Sequence, residues 1–306
     1  MADLAMRPLS VGEVLDRSFA LLRRRFAPMF VAGLVCFVVP LAMFVGSIGD
    51  LASLALAAPA ARGSAAQMGV LWQVMGHFFL IGCIAAVCFV VARGAWIHVA
   101  GEAVQGRDAG TAEALRRGLS LALPMAGLTL LEGVIFFGVY FVLAIPAAIV
   151  IPLLARSGGS MIGVLFAVVA VCGGVALLAW IYAGLYVTAP VLVLETPPNV
   201  FRSLERSWNL SRDRRGAVLG IILLLGVLGF VIQMAVTFGV GVFGGMKGEG
   251  PGMVGPILVL TYGLMLLVQV VLGLLGYVIQ TVMYYDMRVR KEGFDLEVLA
   301  QSLEGK

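Results

Sequence analysis

Residues 216–246, GAVLGIILLLGVLGFVIQMAVTFGVGVFGGM, contain no Asp, Glu, Lys or Arg. A run of about 20 apolar residues is long enough to cross the hydrocarbon core of a bilayer as a helix, so this stretch predicts a transmembrane helix. Five further stretches are similarly apolar, and only one of them is interrupted by a charge, at Glu132: 26–49, 63–92, 118–155, 157–194 and 250–285. We therefore expect six transmembrane helices.

The composition excludes a soluble globular fold. Of the 306 residues, 61% are hydrophobic and 12% are charged, and the mean hydropathy is +1.04. A soluble domain carries about 25% charged residues. The residues outside the apolar stretches are too few and too scattered to form a separate soluble catalytic domain.

The positive charges lie almost entirely on one side of the predicted membrane. Of the 21 Lys and Arg residues, 18 lie on one side. They are found before the first span, between the second and third spans, between the fourth and fifth spans, and after the sixth span. The other side receives only Arg62, Arg156 and Lys247. Basic loops stay in the cytoplasm, so we expect a multi-pass protein of the bacterial inner membrane with both termini cytoplasmic. Its basic collar then faces anionic lipid headgroups rather than nucleic acid.

A short sequence pattern recurs three times on this cytoplasmic side. The pattern is Leu-x-Arg-small-bulky-x-Leu, and its copies are VLDRSFAL at 14–21, ALRRGLSL at 114–121 and SLERSWNL at 203–210. Each copy precedes an odd-numbered span, so the repeating unit is a cytoplasmic amphipathic helix followed by a two-helix hairpin. Copies separated by an even number of spans have the same orientation, which indicates parallel repeats.

The fold prediction is therefore an all-α integral membrane protein, a single membrane domain built from three parallel repeats. The boundaries are 10–100, 111–195 and 199–290, followed by a cytoplasmic tail at 291–306. Ser10 with Glu13 has the spacing of a capping box, and Thr111 and Asn199 are expected to cap the second and third amphipathic helices. The small residues of the pattern should permit close helix packing: Ser18, Gly118 and Ser207.

Basic and aromatic side chains near the cytoplasmic boundaries are the first candidates for a function. The candidate lipid- or partner-binding residues are Arg17, Arg117, Arg206, Arg288 and Arg290. Two interpretations are open for them, namely side chains that reach lipid phosphates, and a specific ligand-binding ring. The rings expected to be interfacial anchors are Trp96, Trp180, Trp208, Tyr284 and Tyr285.

The two ends of the chain resemble a known family. The runs GEVLDRSFALLRRRF at 12–26 and YYDMRVRKEGFDLE at 284–297 look like those of a bacterial superfamily named for the membrane domain of some glycerophosphodiester phosphodiesterases. That superfamily also includes stand-alone six-span proteins. The resemblance covers about residues 10–297 and implies a helical membrane domain. The phosphodiesterase activity of the fused members belongs to a separate soluble barrel that these residues do not include, so we do not carry it over.

The sequence contains no plausible catalytic or metal-binding pattern. There is no H-E-x-x-H, no Gly-rich loop ending in Lys-Ser/Thr and no plausible G-x-S-x-G elbow. The two histidines, His77 and His98, are 21 residues apart on one predicted helix, which corresponds to about 31 Å along a straight helix. They cannot share a metal ion. We expect no catalytic residue, no metal and no cofactor.

Glu132 is the one acid within the predicted spans. At a depth of about 15 Å, an ionised carboxylate needs a partner, a water-filled cavity or a proton. Tyr277 and Gln280 fall in the same half of the bilayer, so one interpretation is a proton or substrate relay. The other is a protonated glutamate hydrogen-bonded between helices. We favour the second, because the repeat places Ala32 and Ile221 at the matching positions and no second intramembrane acid or base could form a chain.

Three functions remain in order of preference. The first is a non-catalytic membrane module that organises lipid or docks a cytoplasmic or membrane protein through its basic collar. The segment 295–303, DLEVLAQSL, is typical of a capped amphipathic helix that could dock such a partner. The second is a transporter or lipid carrier with a pathway along the repeat axis that uses Glu132. An intramembrane enzyme comes third. The sequence does not indicate an oligomeric state.

Overall fold

The computed structural model describes residues 8–57, 64–156, 161–246 and 254–293, and every structural statement below concerns these residues. They form helices and connecting turns, which confirms the all-α prediction for this part of the chain. The helices are α1 (Val11–Ala57), α2 (Ser64–Val104), α3 (Thr111–Ser120), α4 (Ala122–Arg156), α5 (Met161–Leu185), α6 (Thr188–Leu194), α7 (Val200–Ser211), α8 (Arg215–Met246) and α9 (Val254–Glu292). The helix predicted at 295–303 lies outside the described residues.

Six helical segments are long and apolar enough to cross a membrane. They are Val11–Ser47, Trp72–Val104, Ala122–Val142, Val168–Leu194, Arg215–Gly239 and Leu260–Glu292. The chain is a multi-pass membrane protein, as the charge-free stretches predict. The threefold repeat, the orientation of the termini and the bacterial inner membrane stay predictions.

Three helix junctions share one backbone geometry. The residue at each junction lies in the bridge region between helix and strand: Arg25 (φ −116°, ψ 19°), Leu121 (φ −98°, ψ 3°) and Val187 (φ −100°, ψ 15°). A proline follows three residues after each one: Pro28, Pro124 and Pro190. Proline has no N–H and clashes with the carbonyl four residues earlier in a continuous helix, whereas the first turn of a new helix tolerates it. The prolines therefore separate short helical segments from the helices that adjoin them.

Two compact units make up the chain, and each is described by itself. The first comprises Met1–Val14, Leu123–Leu223 and Met283–Lys306, and the second comprises Leu15–Ala122 and Leu224–Val282.

Trp96 of α2 occupies the centre of the second unit. Its ring is fully buried, and its indole N–H donates to the carbonyl oxygen of Met29 at 2.9 Å. A Cβ atom placed on Gly33 of α1 or Gly273 of α9 would lie 2.8 Å or 3.2 Å from the ring. These glycines make the space that the indole fills. The prediction of Trp96 as an interfacial anchor is therefore wrong, and so are those for the buried rings in the first unit, Tyr284 and Tyr285.

In the same unit, α3 lies directly against the backbone of α2. A Cβ atom on Gly118 would lie 2.4 Å from the carbonyl oxygen of Val91, and one on Gly94 would lie 3.1 Å from the Cα of Gly118. No larger side chain fits between the two backbones at this crossing. The predicted close packing at Gly118 is confirmed.

In the first unit, α7 lies against the end of α5. The hydroxyl groups of Ser207 and Ser211 both donate to the carbonyl oxygen of Gly184 at 3.0 Å. A Cβ atom on Gly184 would lie 2.4 Å from the ring of Trp208. The small residue of the third pattern copy thus permits a close contact, as predicted.

The capping predictions hold at two of three helices. The backbone N–H of Ser10 donates to the Glu13 carboxylate at 2.7 Å, and the N–H of Glu13 donates to Ser10 Oγ at 3.3 Å. Asn199 Oδ1 accepts from the N–H three residues later at 3.1 Å. The prediction for Thr111 is wrong, because the N-cap of α3 is Gly110 and Thr111 is already the first helical residue.

Candidate functional site

Glu195 anchors a cluster of charged side chains in the first unit. This residue ends α6 and accepts hydrogen bonds from the Arg206 guanidinium and, at 2.8 Å, from the Tyr284 hydroxyl. The other side of Arg206 lies 2.9 Å from the carboxylate of Glu292, to which Arg288 Nε also donates at 3.0 Å. Two of the predicted lipid-binding arginines, Arg206 and Arg288, are therefore brought together by a shared acid of the chain itself.

The surroundings of Arg206 keep its side chain charged. Burial alone lowers the pKa of the guanidinium, but the hydrogen bond and negative charge of Glu195, together with Glu292, raise the pKa above its ordinary value. Hydrogen bonds between ionised partners are about twice as strong as neutral ones. The pairs at Arg206 thus hold α7 to the end of α9.

A second cluster forms around Asp286, whose side chain is 0% exposed. Its carboxylate accepts from the backbone N–H of Leu9 at 2.7 Å and from Arg290 Nε at 3.1 Å, and it lies 3.3 Å from Arg214 Nη2. The carbonyl oxygen of Leu9 accepts from Arg290 at 2.6 Å and from Arg214 at 3.0 Å. The third predicted lipid-binding arginine, Arg290, thus helps to hold Leu9, which lies just before α1, against the end of α9.

Arg17 and Arg117, the remaining candidates, lie in the second unit. Both are partly buried, on α1 and α3 respectively. Their role in binding lipid or a partner stays a prediction.

Other arginines are exposed on helical segments whose bulky apolar side chains are exposed as well. The bulky residue of the sequence pattern is 51% exposed at Phe19, 68% at Leu119 and 38% at Trp208. Exposed arginines on the same helices are Arg23, Arg24, Arg116 and Arg202. In the described ranges, the side chains of these four arginines make no hydrogen bond or ion pair. Their charges therefore stay available to groups outside the chain.

Glu132 lies on α4 in the first unit and meets the junction between α5 and α6. A hydrogen bond joins its carboxyl group to the hydroxyl of Thr188, the first residue of α6. The same hydroxyl lies 2.9 Å from the carbonyl oxygen of Leu185, the last residue of α5. This geometry agrees with a glutamate hydrogen-bonded between helices.

The two residues predicted to accompany Glu132 belong to the second unit. Tyr277 packs against Trp96, with ring centroids 5.7 Å apart, and the Arg93 guanidinium lies 5.7 Å from the Tyr277 ring centroid. Gln280 is buried in the same unit. Within their own unit, both residues contribute to a packed interior.

The one pocket described beside these clusters is too small for a substrate. It has room for about one water molecule. Its lining residues are Val191, Glu195, Thr196, Pro197, Asn199, Arg202 and Ser203. In the part of the chain that the structure describes, no three His, Cys, Asp or Glu side chains are placed to hold a metal ion. The clusters can bind charge and hold helices together, and they contain no arrangement of nucleophile and base.

Sequence analysis missed the acids that pair with the predicted arginines. Glu195 and Asp286 lie directly after apolar stretches, and Glu292 lies six residues beyond Asp286. Asp286 has an i,i+4 relation to Arg290, and Arg288 has one to Glu292, either of which could have indicated the partner. Thr188 was also missed. Its signal was Pro190, because a proline favours a helix break just before it.

One family model matches residues 126–306, which is more than half of the chain, and it describes a domain of unknown function, DUF8558. The chain belongs to the DUF8558 family. The DUF8558 match includes Glu132, Glu195, Arg206 and Asp286 and excludes Leu9. None of the curated proteins or solved structures compared with the chain matches it. The resemblance of the chain ends to the glycerophosphodiester phosphodiesterase membrane-domain superfamily stays a prediction.

Proposed function

We propose that this protein is a non-catalytic membrane module that organises anionic lipid at the cytoplasmic face of the bacterial inner membrane. Short helical segments with exposed arginines and exposed bulky apolar side chains supply the contact. Such segments lie in the interface, with the apolar side chain among acyl chains and the basic side chain at the phosphates.

The observation that carries this proposal is the combination found on each short helical segment. Phe19 is exposed on the segment that carries Arg23 and Arg24, Leu119 on the helix of Arg116, and Trp208 on the helix of Arg202. An exposed apolar side chain next to a cation is unfavourable in water and favourable at a lipid headgroup. The pattern favours side chains that reach lipid phosphates over a specific ring of ligand-binding arginines.

The paired arginines support a division of the arginines into those that stabilise the fold and those that contact lipid. Arg206, Arg288 and Arg290 are paired with Glu195, Glu292 and Asp286. Because these charges are neutralised within the chain, we assign them to stability and assign lipid contact to the exposed arginines instead.

The experiment replaces one exposed arginine on each short segment by glutamine: Arg24, Arg116 and Arg202. A basic side chain near an anionic surface contributes about 1 kcal/mol, so we expect the variant to lose most of its enrichment in anionic phospholipid. Mass spectrometry of lipids retained in native nanodiscs measures the enrichment relative to the surrounding membrane.

The matched control removes the three cations predicted on the opposite side, Arg62, Arg156 and Lys247, which should leave the enrichment unchanged. Equal enrichment in the test variant and the wild type would contradict the proposal. Loss of a co-purifying polypeptide at constant lipid content would instead indicate that the arginines dock a protein partner.

A transporter or lipid carrier is the second candidate, because Glu132 contacts a helix break. Discontinuous membrane helices often form substrate and ion sites in transporters. Here the break at Val187 brings Thr188 into contact with the carboxyl group, and that contact supports a structural role for Glu132 over a relay.

Substitution of Glu132 by Gln separates these roles. Glutamine can keep a hydrogen bond to Thr188 but cannot carry a proton, so we expect unchanged thermal stability and unchanged proton flux into liposomes that contain a pH-sensitive dye. Thr188→Val, which removes the hydroxyl, should lower the free energy of unfolding by about 1 kcal/mol. A wild-type proton flux that disappears in Glu132→Gln would support the transporter.

A further inference from the structure

One arginine in the first unit is buried against aromatic rings and lacks an acidic partner. Arg215 begins α8 and is 6% exposed. Its guanidinium carbon lies 4.0 Å from the ring centroid of Trp208 on α7 and 4.6 Å from that of Trp180 on α5. Cations at such distances are attracted to the electron-rich face of an indole.

The packing of α7 on α5 fixes this arrangement in place. Ser207 and Ser211 donate to the carbonyl oxygen of Gly184, and the Trp208 ring covers the space where a side chain at 184 would be. Trp208 is therefore packed against α5 at the point where its ring contacts the Arg215 guanidinium.

The N–H groups of Arg215 lack acceptors in the described part of the chain. No hydrogen bond or ion pair reaches this side chain, and its buried Nε has no partner. Arg212 adds a like charge nearby. Arg206, Arg214, Arg288 and Arg290, in contrast, all contact a carboxylate. A buried charged donor without an acceptor is costly, which indicates that an anion outside the chain completes the site.

The position of Arg215 selects the kind of anion. The rings interact with the faces of guanidinium groups, so its N–H edge remains for a ligand, and that planar edge matches two oxygens of a phosphate. The first turn of α8 adds free backbone N–H groups and the positive end of the helix dipole. Beside them Gly216 is exposed and has open space where a side chain would be.

We propose that Arg215, held by Trp180 and Trp208 at the start of α8, binds a phosphate-bearing anion. This inference rests on the proposed lipid-organising function and names one specific binding point for it. The phosphate can belong to a phospholipid headgroup or be free in solution.

The test titrates the full chain in detergent with dioctanoyl phosphatidylglycerol, dioctanoyl phosphatidylcholine or inorganic phosphate, and native mass spectrometry counts the bound ligands. We expect one phosphate-bearing ligand whose affinity falls about tenfold in Arg215→Gln, which equals about 1.4 kcal/mol. If Arg215→Gln loses binding of phosphatidylglycerol but not of inorganic phosphate, the ligand is a lipid headgroup. If it loses binding of inorganic phosphate, the ligand is a free anion. Equal binding of every ligand by wild type and Arg215→Gln overturns the proposal.

The matched control is Arg107→Gln, which removes the same charge from an exposed position just after α2 in the second unit and should leave this affinity unchanged. Should Arg215→Gln fail to fold, Arg215→Lys keeps the charge but loses the planar edge, and we expect binding about threefold weaker. Unchanged binding by this lysine variant also overturns the site. If the Arg215 variants bind phosphate-bearing ligands as the wild type does, but the variant with Arg24, Arg116 and Arg202 replaced still loses lipid enrichment, the Arg215 site is wrong and the proposed function stands.

Discussion

Replacement of Asp286 by Ala is expected to lower the free energy of unfolding by about 3 kcal/mol. The substitution leaves Arg214, Arg290 and the N–H of Leu9 without the carboxylate that they share. Removing one partner of a buried ion pair costs about 3–5 kcal/mol, and the lower value applies because the two guanidinium groups are 21% and 33% exposed. Equilibrium unfolding in mixed micelles measures the difference.

Asp213→Ala is the matched control for this prediction. Asp213 pairs with Lys291 at 3.1 Å, but its side chain is 71% exposed. Pairs of this kind contribute about 0–1 kcal/mol, so the control should change stability little. Similar losses for the two variants would show that the Asp286 cluster does not stabilise the fold.

Gly118→Ala is expected to destabilise the protein by about 1–3 kcal/mol. Its new methyl group would lie 2.4 Å from the Val91 carbonyl oxygen and 3.1 Å from the Ala95 nitrogen. Both are backbone atoms of α2, so α3 has to move away from that helix. Thermal unfolding in detergent, followed by near-ultraviolet circular dichroism, measures the loss.

Gly220→Ala provides the control in a different helix. Nothing lies within 4 Å of a Cβ atom at this exposed position of α8, and alanine is a better helix former than glycine by about 1 kcal/mol. The control should be as stable as the wild type or more so. If Gly118→Ala unfolds at the same temperature as Gly220→Ala, the close approach of α3 and α2 is not a constraint.

Local features of the fold could be predicted where the signal lies within a few residues. Charge-free stretches identified the six spans, and Ser10 with Glu13 formed the expected capping box. The capping prediction for Thr111 was wrong, because α3 begins one residue earlier than the pattern indicated and Gly110 is its N-cap. The hydroxyl of Thr111 instead points to the Pro28 carbonyl oxygen at 3.5 Å, a contact that no local pattern reveals.

Burial of Trp96 could not be predicted, because it depends on glycines in distant parts of the sequence. Trp96 fits into the interior only because Gly33 and Gly273 leave room for it on two other helices. Position relative to the membrane boundary gives the depth of a ring but not the direction in which it points.

Only part of the candidate site could be predicted, because the pairing of its charges also depends on residues that are distant in the sequence. The number of arginines on each side indicated where positive charge accumulates, but not which arginines find acids within the chain. Arg206 and Glu292 are 86 residues apart, and Glu195 reaches Tyr284 across a separation of 89. The exposed arginines assigned to lipid contact make no ion pair in the described part of the chain, and this difference is a property of the folded chain.

The contact between Leu9 and Asp286 also has a consequence for biosynthesis. The two residues are separated by 277 positions, so at about 5–20 residues per second the ribosome makes the second roughly 15–60 s after the first. Until Asp286 has been made, the peptide group of Leu9 lacks the carboxylate that it binds in the folded protein. The helix that completes the described part of the chain, α9, is thus the one that holds Leu9, which lies just before α1.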